Sequence, residues 1–442
     1  MKRSLLVWSC CASMLLSACG NPPDDHKPDD GNPNQPNQPT TLTVTGKVRF
    51  ESGQALKNVQ VLIPGEGRQP VNVDDSGAFS IPGVRTPYDL IVASKERQAA
   101  SVYKGLTLKT PTVALGTGMA QGAERHEARI QGTVTGARNA PSSEISLGFA
   151  VEDNSGYGFG LVESSGEYSL DASWEGVSSI KGTVYALQLE RDGYDSPPKS
   201  YLTFGQRDVD ALKAGDTLSA QEISLAPVTN SSLAGNITLP NGYVLDQVSL
   251  DFNFGANRQF ELFSDESPKT VFQYAVPQLS QATYSLRVSA HVEGGTQGIS
   301  GSSDVSLSGL TAGTSGIAVV ISEGTRLIQP AKAATGVTRE ASFSWSKFAN
   351  GVHQFAIMSD KSENQTPYTL TVLTSGTETT LPDLSPFGIA LPASTEFSWF
   401  VVGTGPVASV DELVGQLAEP NEVKNSHTSV SEFRSFTTAA TP

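Results

Sequence analysis

The sequence predicts an all-β protein built from tandem β-sandwich modules. Apolar and polar residues alternate along many short segments, beginning with 42–50, as they do in strands with one buried face. The 42 glycines and 26 prolines indicate frequent turns between these segments. Charged residues make up only 17% of the chain, too few for long charged helices or a coiled coil. At roughly 100–200 residues per domain, the 442 residues predict about two to four domains.

The charge of the chain argues against two classes of partner. It carries 30 basic and 45 acidic residues, a formal net charge of −15. Nucleic acid needs clustered lysine and arginine, and anionic lipid headgroups need a polybasic segment. We therefore expect no nucleic-acid partner and an acidic surface that keeps the protein soluble.

The first 18 residues have the pattern of a secretory signal peptide. Two basic residues at 2–3 precede an apolar run at 4–18, which is shorter than the roughly 20 residues of a transmembrane helix. The run ends in Leu-Ser-Ala-Cys at 16–19, which resembles the lipobox of bacterial lipoproteins. The resemblance implies a lipidated Cys19 and a chain anchored to the membrane. The alternative is an ordinary signal peptide cut after Ala18, which leaves a free thiol.

The cysteines and the next segment agree with an anchored chain. The cysteines are Cys10, Cys11 and Cys19, so the mature chain keeps one thiol and forms no intramolecular disulfide. Segment 19–41 combines the lipidated cysteine with a Pro-, Asp- and Asn-rich stretch that has almost no apolar residues, which predicts a disordered tether. Its four aspartates lack the spacing of a calcium loop, so we favour a role as a solvated spacer over metal binding.

The first predicted module, module 1, covers 42–118. It contains strand-like segments separated by turns such as Asp74-Asp75-Ser76-Gly77. These segments resemble the carboxypeptidase regulatory-like, or prealbumin-like, family; the pieces that carry the resemblance are 46–48, 53–61, 75–81 and 88–92. The resemblance implies a seven-stranded β-sandwich that serves as a non-catalytic appendage.

Two further modules repeat this pattern of strand and turn segments, with more divergence in sequence. Segments 130–134 and 233–237 parallel 44–48, and 165–170 parallels 76–81. We therefore predict divergent β-sandwiches at 128–228, module 2, and at 231–325, module 3.

The last predicted module, module 4, covers 326–442 and has a different pattern. Segment 391–401 begins just before a long aromatic strand and continues into it. This segment and the closing strand at 433–438 resemble the fibronectin type III family. The resemblance implies a seven-stranded sandwich used for spacing or for contact with protein or glycan. A capping box at Ser409 and Glu412 predicts a short helix at 409–418. We interpret this helix as a connector packed on the sheet edge, with a partner-contacting insertion as the alternative.

The sequence offers no pattern for catalysis, a metal or a cofactor. The histidines are scattered, and none has a histidine or cysteine partner at the spacing of a metal site; they are His26, His126, His291, His353 and His427. We found neither a nucleophile elbow nor a phosphate-binding loop. Because acid pairs leave no local signature, an envelope hydrolase or an accessory subunit of one stays as a less favoured alternative to a non-catalytic protein.

Three aromatic residues are candidates for ligand contact. Tyr157 and Phe159 belong to the segment Gly-Tyr-Gly-Phe-Gly at 156–160, and alternation places both rings on one side of a strand. The surrounding glycines would let a ligand approach the backbone. Trp174 is the third candidate. Stacking on a sugar is the chemistry these rings offer, although packing in the core is the interpretation we favour for each.

Together these patterns predict a lipid-anchored cell-envelope protein in which a tether lifts a string of β-sandwiches off the membrane. Gly20 rather than aspartate follows Cys19, which by the enteric-type sorting rule favours the outer membrane, on its periplasmic face or at the cell surface. The expected role is non-catalytic binding or structural spacing, with the membrane and an envelope protein or polysaccharide as partners. The alternative is a glycan-binding surface lipoprotein.

Overall fold

The structure is a computed structural model, and it describes residues 41–49, 58–65, 67–116, 125–137, 140, 143–151, 156–175, 177–193, 196–254, 258–280, 282–294, 301–349, 351–359, 366–418 and 425–441. Strands dominate these ranges, which contain one α-helix and one short 3-10 helix. The prediction of an all-β fold with tandem sandwich modules is confirmed. None of the helices in these ranges has the length and apolarity of a membrane-spanning segment. The predicted signal peptide, Cys19 and the tether up to residue 40 lie outside the described residues.

Module 1 is a sandwich of three strands against four. Its strands are β1 (Leu42–Arg49), β2 (Gln60–Leu62), β3 (Val71–Asn72), β4 (Ala78–Val84), β5 (Tyr88–Ser94), β6 (Ala99–Leu106) and β7 (Thr112–Ala114). One layer has the order β4-β1-β7, with β1 parallel to β7, and the other has the order β3-β2-β5-β6. Alternate residues of β1, such as Val44 and Val48, are buried in the core between the layers.

Module 2 has the same strand order. Its strands are β8 (Arg125–Thr135), β9 (Ser143–Val151), β10 (Gly156–Val162), β11 (Glu167–Glu175), β12 (Ser179–Glu190), β13 (Ser200–Lys213), β14 (Thr217–Ser224) and β15 (Ala226–Pro227). The orders β11-β8-β14 and β10-β9-β12-β13 match the two layers of module 1. Here β10 also pairs with β11, so both layers belong to one curled sheet of eight strands.

Module 3 repeats the order again. Its strands are β16 (Thr229–Thr238), β17 (Tyr243–Phe254), β18 (Arg258–Asp265), β19 (Val271–Gln278), β20 (Ala282–Val292), β21 (Ser302–Leu310) and β22 (Ile317–Val320). The layers are β19-β16-β22 and β18-β17-β20-β21. The first strand of each module pairs in parallel with a late strand, as β1–β7, β8–β14 and β16–β22, so three stretches of chain share one topology.

Module 4 is built differently. Its elements are β23 (Leu327–Gln329), β24 (Ala334–Val337), β25 (Phe343–Trp345), β26 (Val352–Ser359), β27 (Thr369–Thr374), β28 (Glu378–Thr379), a 3-10 helix (Ser385–Phe387), β29 (Glu396–Gly405), α1 (Val410–Ala418), β30 (Ser426–Val430) and β31 (Arg434–Thr438). A small sheet, β23-β25-β28, lies against the strands β30-β29-β26-β27. Trp345 and Trp399 are both buried in the core of this module.

One large sheet runs through three modules. Its path is β18-β17-β20-β21-β30-β29-β26-β27-β6-β5-β2-β3. Module 4 joins module 1 through parallel pairing of β27 with β6 and joins module 3 through antiparallel pairing of β30 with β21. Twelve strands at about 4.8 Å give a path of roughly 50 Å. The order in space is therefore 1–4–3, which differs from the sequential string that the sequence suggests.

Helix α1 of module 4 packs against module 1. Val410 and Val414 are buried in the core of module 1. The helix begins with the predicted capping box, in which Glu412 N donates to Ser409 Oγ at 3.1 Å. The carboxylate of Asp411 accepts hydrogen bonds from the backbone N–H and the hydroxyl of Thr107, just after β6. The helix is thus a connector within the chain.

Module 2 packs against the far side of module 3. The outer faces of β9, β12 and β13 contribute to a core shared with module 3, which explains why β12 is buried on both faces. Tyr185 of β12 lies 5.4 Å from Phe252 and 5.2 Å from Phe254, between ring centroids. A Cβ atom at Gly148 would lie only 1.8 Å from the ring of Phe260, so glycine is required where the modules meet. The full order in space is 1–4–3–2.

Candidate binding surface on module 2

Tyr157 and Phe159 form an exposed aromatic pair on β10. Each residue is 59% exposed, and the ring centroids lie 5.8 Å apart with the planes tilted by 47°. The sequence correctly places them on one face of a strand, but the face is the outer one and not the core we favoured. Two large rings side by side in water are unusual in a chain that buries its other large side chains extensively.

The glycines of β10 explain why these rings point outward. Gly156 and Gly158 face inward, where an added Cβ would lie 2.5 Å from the Cβ of Trp174 and 2.8 Å from Cδ2 of Leu170. At Gly156 and Gly158 the inner face of β10 therefore has no room for side chains, so the large side chains of this part of the strand lie on the outer face. Strand β10 pairs on both edges, with β9 and β11, which holds the backbone beneath the rings in place.

Polar side chains flank the rings on the side of β11 and β8, whereas the residues opposite the rings on β9 are Ala150 and Gly148. Asp171 lies opposite Phe159 and accepts a hydrogen bond from Nε of Arg129 at 2.8 Å. Ser173 lies opposite Tyr157 and accepts one from Nε of Arg125, also at 2.8 Å. The hydrogen bond and charge of Asp171 raise the pKa of Arg129 further above its ordinary value. We call the two rings and these four polar residues the β10 platform.

Trp174 does not belong to the platform. It is only 1% exposed, its Nε1 donates to the carbonyl oxygen of Val177 at 2.7 Å, and its ring lies 5.7 Å from that of His126. It pairs with Gly156 across β10 and β11 and fills the space that this glycine leaves. The residue packs in the core, so the candidate role in surface stacking is corrected to a structural one.

The histidines of the described ranges have separate structural partners. His291 contacts the carboxylate of Asp246, and His353 is fully buried and accepts a hydrogen bond from Phe348 N at 2.9 Å. Burial lowers the pKa of His353 and of His427 below the ordinary value. Within the part of the chain that the structure describes, no group of three histidine, cysteine, aspartate or glutamate residues has the geometry of a metal site.

The sequence analysis missed an acidic pair on module 3. Asp251 of β17 lies opposite Glu261 of β18, and burial raises the pKa of Asp251 to about 6 and that of Glu261 above its ordinary value. Gln259 Nε2 donates to Asp251 Oδ2 at 2.6 Å, and the charge of Arg287 opposes both shifts. Glu261 is exposed on an edge strand, so this pair lies on a sheet face and not in an enclosed cleft.

A second aromatic contact was also missed. Phe433, which precedes β31, is 40% exposed, and its ring centroid lies 4.6 Å from that of Phe400 on β29. Alternation alone gives no signal for it, because Phe433 lies in a connection between two strands. One ring supports the other here, whereas Tyr157 and Phe159 are both open to solvent.

Comparisons with known proteins add little beyond the fold. No family model and no curated protein matches the chain. Among solved structures, the Bacillus anthracis TIE protein is 11% identical over 63% of this chain and 50% of its own, with a TM-score of 0.15. The pilus adhesin SpaC of Lactobacillus rhamnosus GG is 12% identical over 64% of this chain and 43% of its own, with a TM-score of 0.13.

A third match is covered over almost its whole length. BcpA, the major pilin subunit of Bacillus cereus, is 9% identical over 64% of this chain and 99% of its own, with a TM-score of 0.14. The chain thus spans half or less of the length of the TIE protein and SpaC. At these identities and scores the matches carry no argument about this chain, and its function has to be argued from its own residues.

Proposed function

We propose that this chain is a lipid-anchored, non-catalytic scaffold of the cell envelope that presents a binding surface away from the membrane. The observation that carries the proposal is the large sheet, which joins modules 1, 4 and 3 through backbone pairing. Flexible linkers would let such modules move independently. Strand pairing fixes them relative to one another, as a spacer or display function requires.

The anchor and the tether complete this proposal. Lipidation of Cys19 would attach the chain to the outer membrane, and segment 20–41 would span up to roughly 68 Å in an extended polyproline conformation. Module 1 follows the tether directly, and module 2 lies at the other end of the order 1–4–3–2. The β10 platform would therefore be displayed on the module farthest from the anchor.

The module families are part of the same proposal. The shared layers of modules 1, 2 and 3, with the parallel pairs β1–β7, β8–β14 and β16–β22, support prealbumin-like sandwiches. The layers β23-β25-β28 and β30-β29-β26-β27 support a fibronectin type III-like sandwich for module 4. Both families serve mainly as non-catalytic modules, which agrees with a scaffold.

A second candidate function is glycan binding at the cell surface. The exposure of Tyr157 and Phe159 favours it, because aromatic rings open to solvent can stack on the apolar face of a sugar. This candidate requires no change in the scaffold proposal. The scaffold supplies the position of the site, and the platform supplies the contact.

The anchor can be tested by metabolic labelling with an alkyne fatty acid. We expect Cys19→Ala to abolish both the label and membrane association, while the matched control Cys11→Ala, within the signal peptide, retains both. Protease shaving of whole cells then determines whether the modules face outward or the periplasm. Label and location that do not change in Cys19→Ala would refute the lipid anchor.

A further inference from the structure

We propose that the β10 platform binds an uncharged saccharide, which stacks on Tyr157 and Phe159 and hydrogen-bonds to the Arg129–Asp171 and Arg125–Ser173 pairs. This inference rests on the second candidate function, glycan binding, and specifies the ligand class and the residues that select it. Four observations support it. They are the placement of the rings beside polar groups, the rigidity of strand β10, the pairing of each arginine with a carboxylate, and the small exposed apolar area of module 2.

The first observation is the arrangement of rings and polar groups. A pyranose ring has an apolar face of C–H groups and an edge of hydroxyl groups. On the platform, the two adjacent rings offer apolar area, and Asp171 and Ser173 lie directly opposite them on β11. A sugar that stacks on the rings thus brings its hydroxyl edge next to a carboxylate, a hydroxyl and two guanidinium groups.

The second observation is that the platform is rigid before a ligand binds. Strand β10 pairs with strands on both sides, and its inward glycines pack directly against Trp174 and Leu170. The rings themselves have only two rotatable side-chain bonds each. Because little motion is lost on binding, even a weak stacking contact contributes measurable affinity.

The third observation is that each arginine beside the rings lies next to a carboxylate. Arg129 pairs with Asp171 at 2.8 Å, and Arg125 lies 3.5 Å from the carboxylate of Glu127. Two cations are thus balanced by two anions, although the whole chain carries a net charge of −15. A charged polysaccharide would meet a like charge beside every opposite charge. An uncharged saccharide uses the same groups as hydrogen-bond donors and acceptors without that repulsion.

The fourth observation separates a saccharide from a protein partner. A stable protein interface buries about 800 Å² on each side around an apolar centre. Among the described residues of module 2, Val177 is the single large hydrophobic residue exposed besides the two rings. Two rings and one further exposed valine are too small an apolar centre for such an interface, but the rings match one or two sugar units.

The test is affinity electrophoresis of the full mature chain, solubilised in detergent from membranes. The gels contain an uncharged polysaccharide (a soluble β-glucan, a xylan or a mannan), anionic polygalacturonate or cationic chitosan. We expect retardation by at least one uncharged polysaccharide. Binding should change little between low and high salt, because no net charge is neutralised.

Matched variants assign the binding to the platform. Tyr157→Ala and Phe159→Ala should each weaken binding about tenfold or more, as expected for a ring at the centre of a contact. Tyr157→Phe and Phe159→Tyr keep the rings and should retain most of the affinity. Arg129→Gln should weaken binding several-fold, and Phe433→Ala, at the exposed aromatic contact on module 4, should have no effect.

The outcomes distinguish this inference from the proposals on which it rests. Binding only to polygalacturonate or chitosan, lost at high salt, would overturn the uncharged ligand and leave glycan binding intact. Binding to an uncharged polysaccharide that both alanine variants retain would overturn the site. Absence of binding in every gel would overturn glycan binding itself, whereas the lipid anchor is decided separately by the Cys19→Ala labelling experiment.

Discussion

The two ends of the array are joined to its middle in different ways. Module 1 joins module 4 through a parallel strand pair and through helix α1, so backbone hydrogen bonds cross the junction. Module 2 joins module 3 through the packing of side chains, above all the rings around Tyr185 and Phe252. The first junction combines backbone pairing with a shared core of mainly aliphatic side chains from module 1, whereas the second depends mainly on a few aromatic residues.

The difference shows what each junction requires of the sequence. A strand pair accepts many side chains, provided that both strands keep their register and one face stays apolar. An aromatic cluster depends on the shape of each ring and on the space around it. We therefore expect single substitutions to disturb the junction of modules 2 and 3 more strongly than that of modules 1 and 4.

The largest expected effect is that of Phe252→Ala. Phe252 is fully buried, and its ring contacts four others, those of Tyr185, Phe204, Phe254 and Phe260. Removing such a ring costs about 3–5 kcal/mol of the free energy of unfolding. Urea unfolding should show the loss, and hydrogen exchange should speed up in both modules. The control Phe433→Ala should cost less than about 1 kcal/mol, and equal losses in the two variants would contradict the prediction.

The next effect is that of Gly148→Ala, which places a methyl group where the ring of Phe260 lies. We expect a cost of about 1–3 kcal/mol, since a packed contact of this kind tolerates no added volume. A double-mutant cycle with Phe260→Ala measures the coupling of the two residues. If the double mutant loses the sum of the two single losses in free energy of unfolding, Gly148 and Phe260 do not contact each other across the junction.

The corresponding change at the other junction is Ser101→Ala. Ser101 Oγ accepts hydrogen bonds from the hydroxyl of Thr371 and from Gly116 N, both at 2.8 Å. Loss of the Ser101 hydroxyl leaves these two donors without an acceptor and lowers the free energy of unfolding by about 1–3 kcal/mol. The strand pair itself is retained. Hydrogen exchange should show β6 and β27 still protected from solvent. Complete exposure of both strands would mean that the side chains, and not the backbone pairing, hold this junction.

The smallest effect concerns the face of module 3 that bears Asp251. Because burial raises the pKa of Asp251 to about 6, the folded state binds its proton more tightly than the unfolded state, and stability falls as the pH rises towards 6. Asp251→Asn should therefore stabilise the protein at pH 7 by about 1 kcal/mol after solvent screening, and by less near pH 4. Urea unfolding at both pH values measures the difference. Destabilisation at pH 7 would contradict it.

The strands and their inward faces followed from local pattern, but the arrangement of the modules did not. Alternation in 42–50 predicts β1 because its period matches a half-buried strand. Nothing local in β6 shows that its second edge pairs with β27, because any regular strand offers the same backbone groups. The neighbour of an edge strand depends on how whole modules dock, and that information is spread over distant residues.

The candidate site was predictable in part. The spacing of Tyr157 and Phe159 predicts a shared face, but alternation does not say which face is buried. The signal that could have decided it is the glycine at every other position, since a strand whose inner residues lack side chains must carry its rings outside. Trp174 gave no such signal, because its burial depends on Gly156 across the sheet.

The pairing of β6 with β27 has a consequence for the order in which the protein matures. Ser101 and Thr371, which meet across this pair, are 270 positions apart in the chain. During synthesis, the edge of β6 stays unpaired until β27, which lies far along the polypeptide, has been made. An unpaired strand edge can form backbone hydrogen bonds with the wrong strand, from this chain or from another. Nascent molecules of this protein should therefore need a chaperone longest for module 1, which is synthesised before the strand that covers its edge.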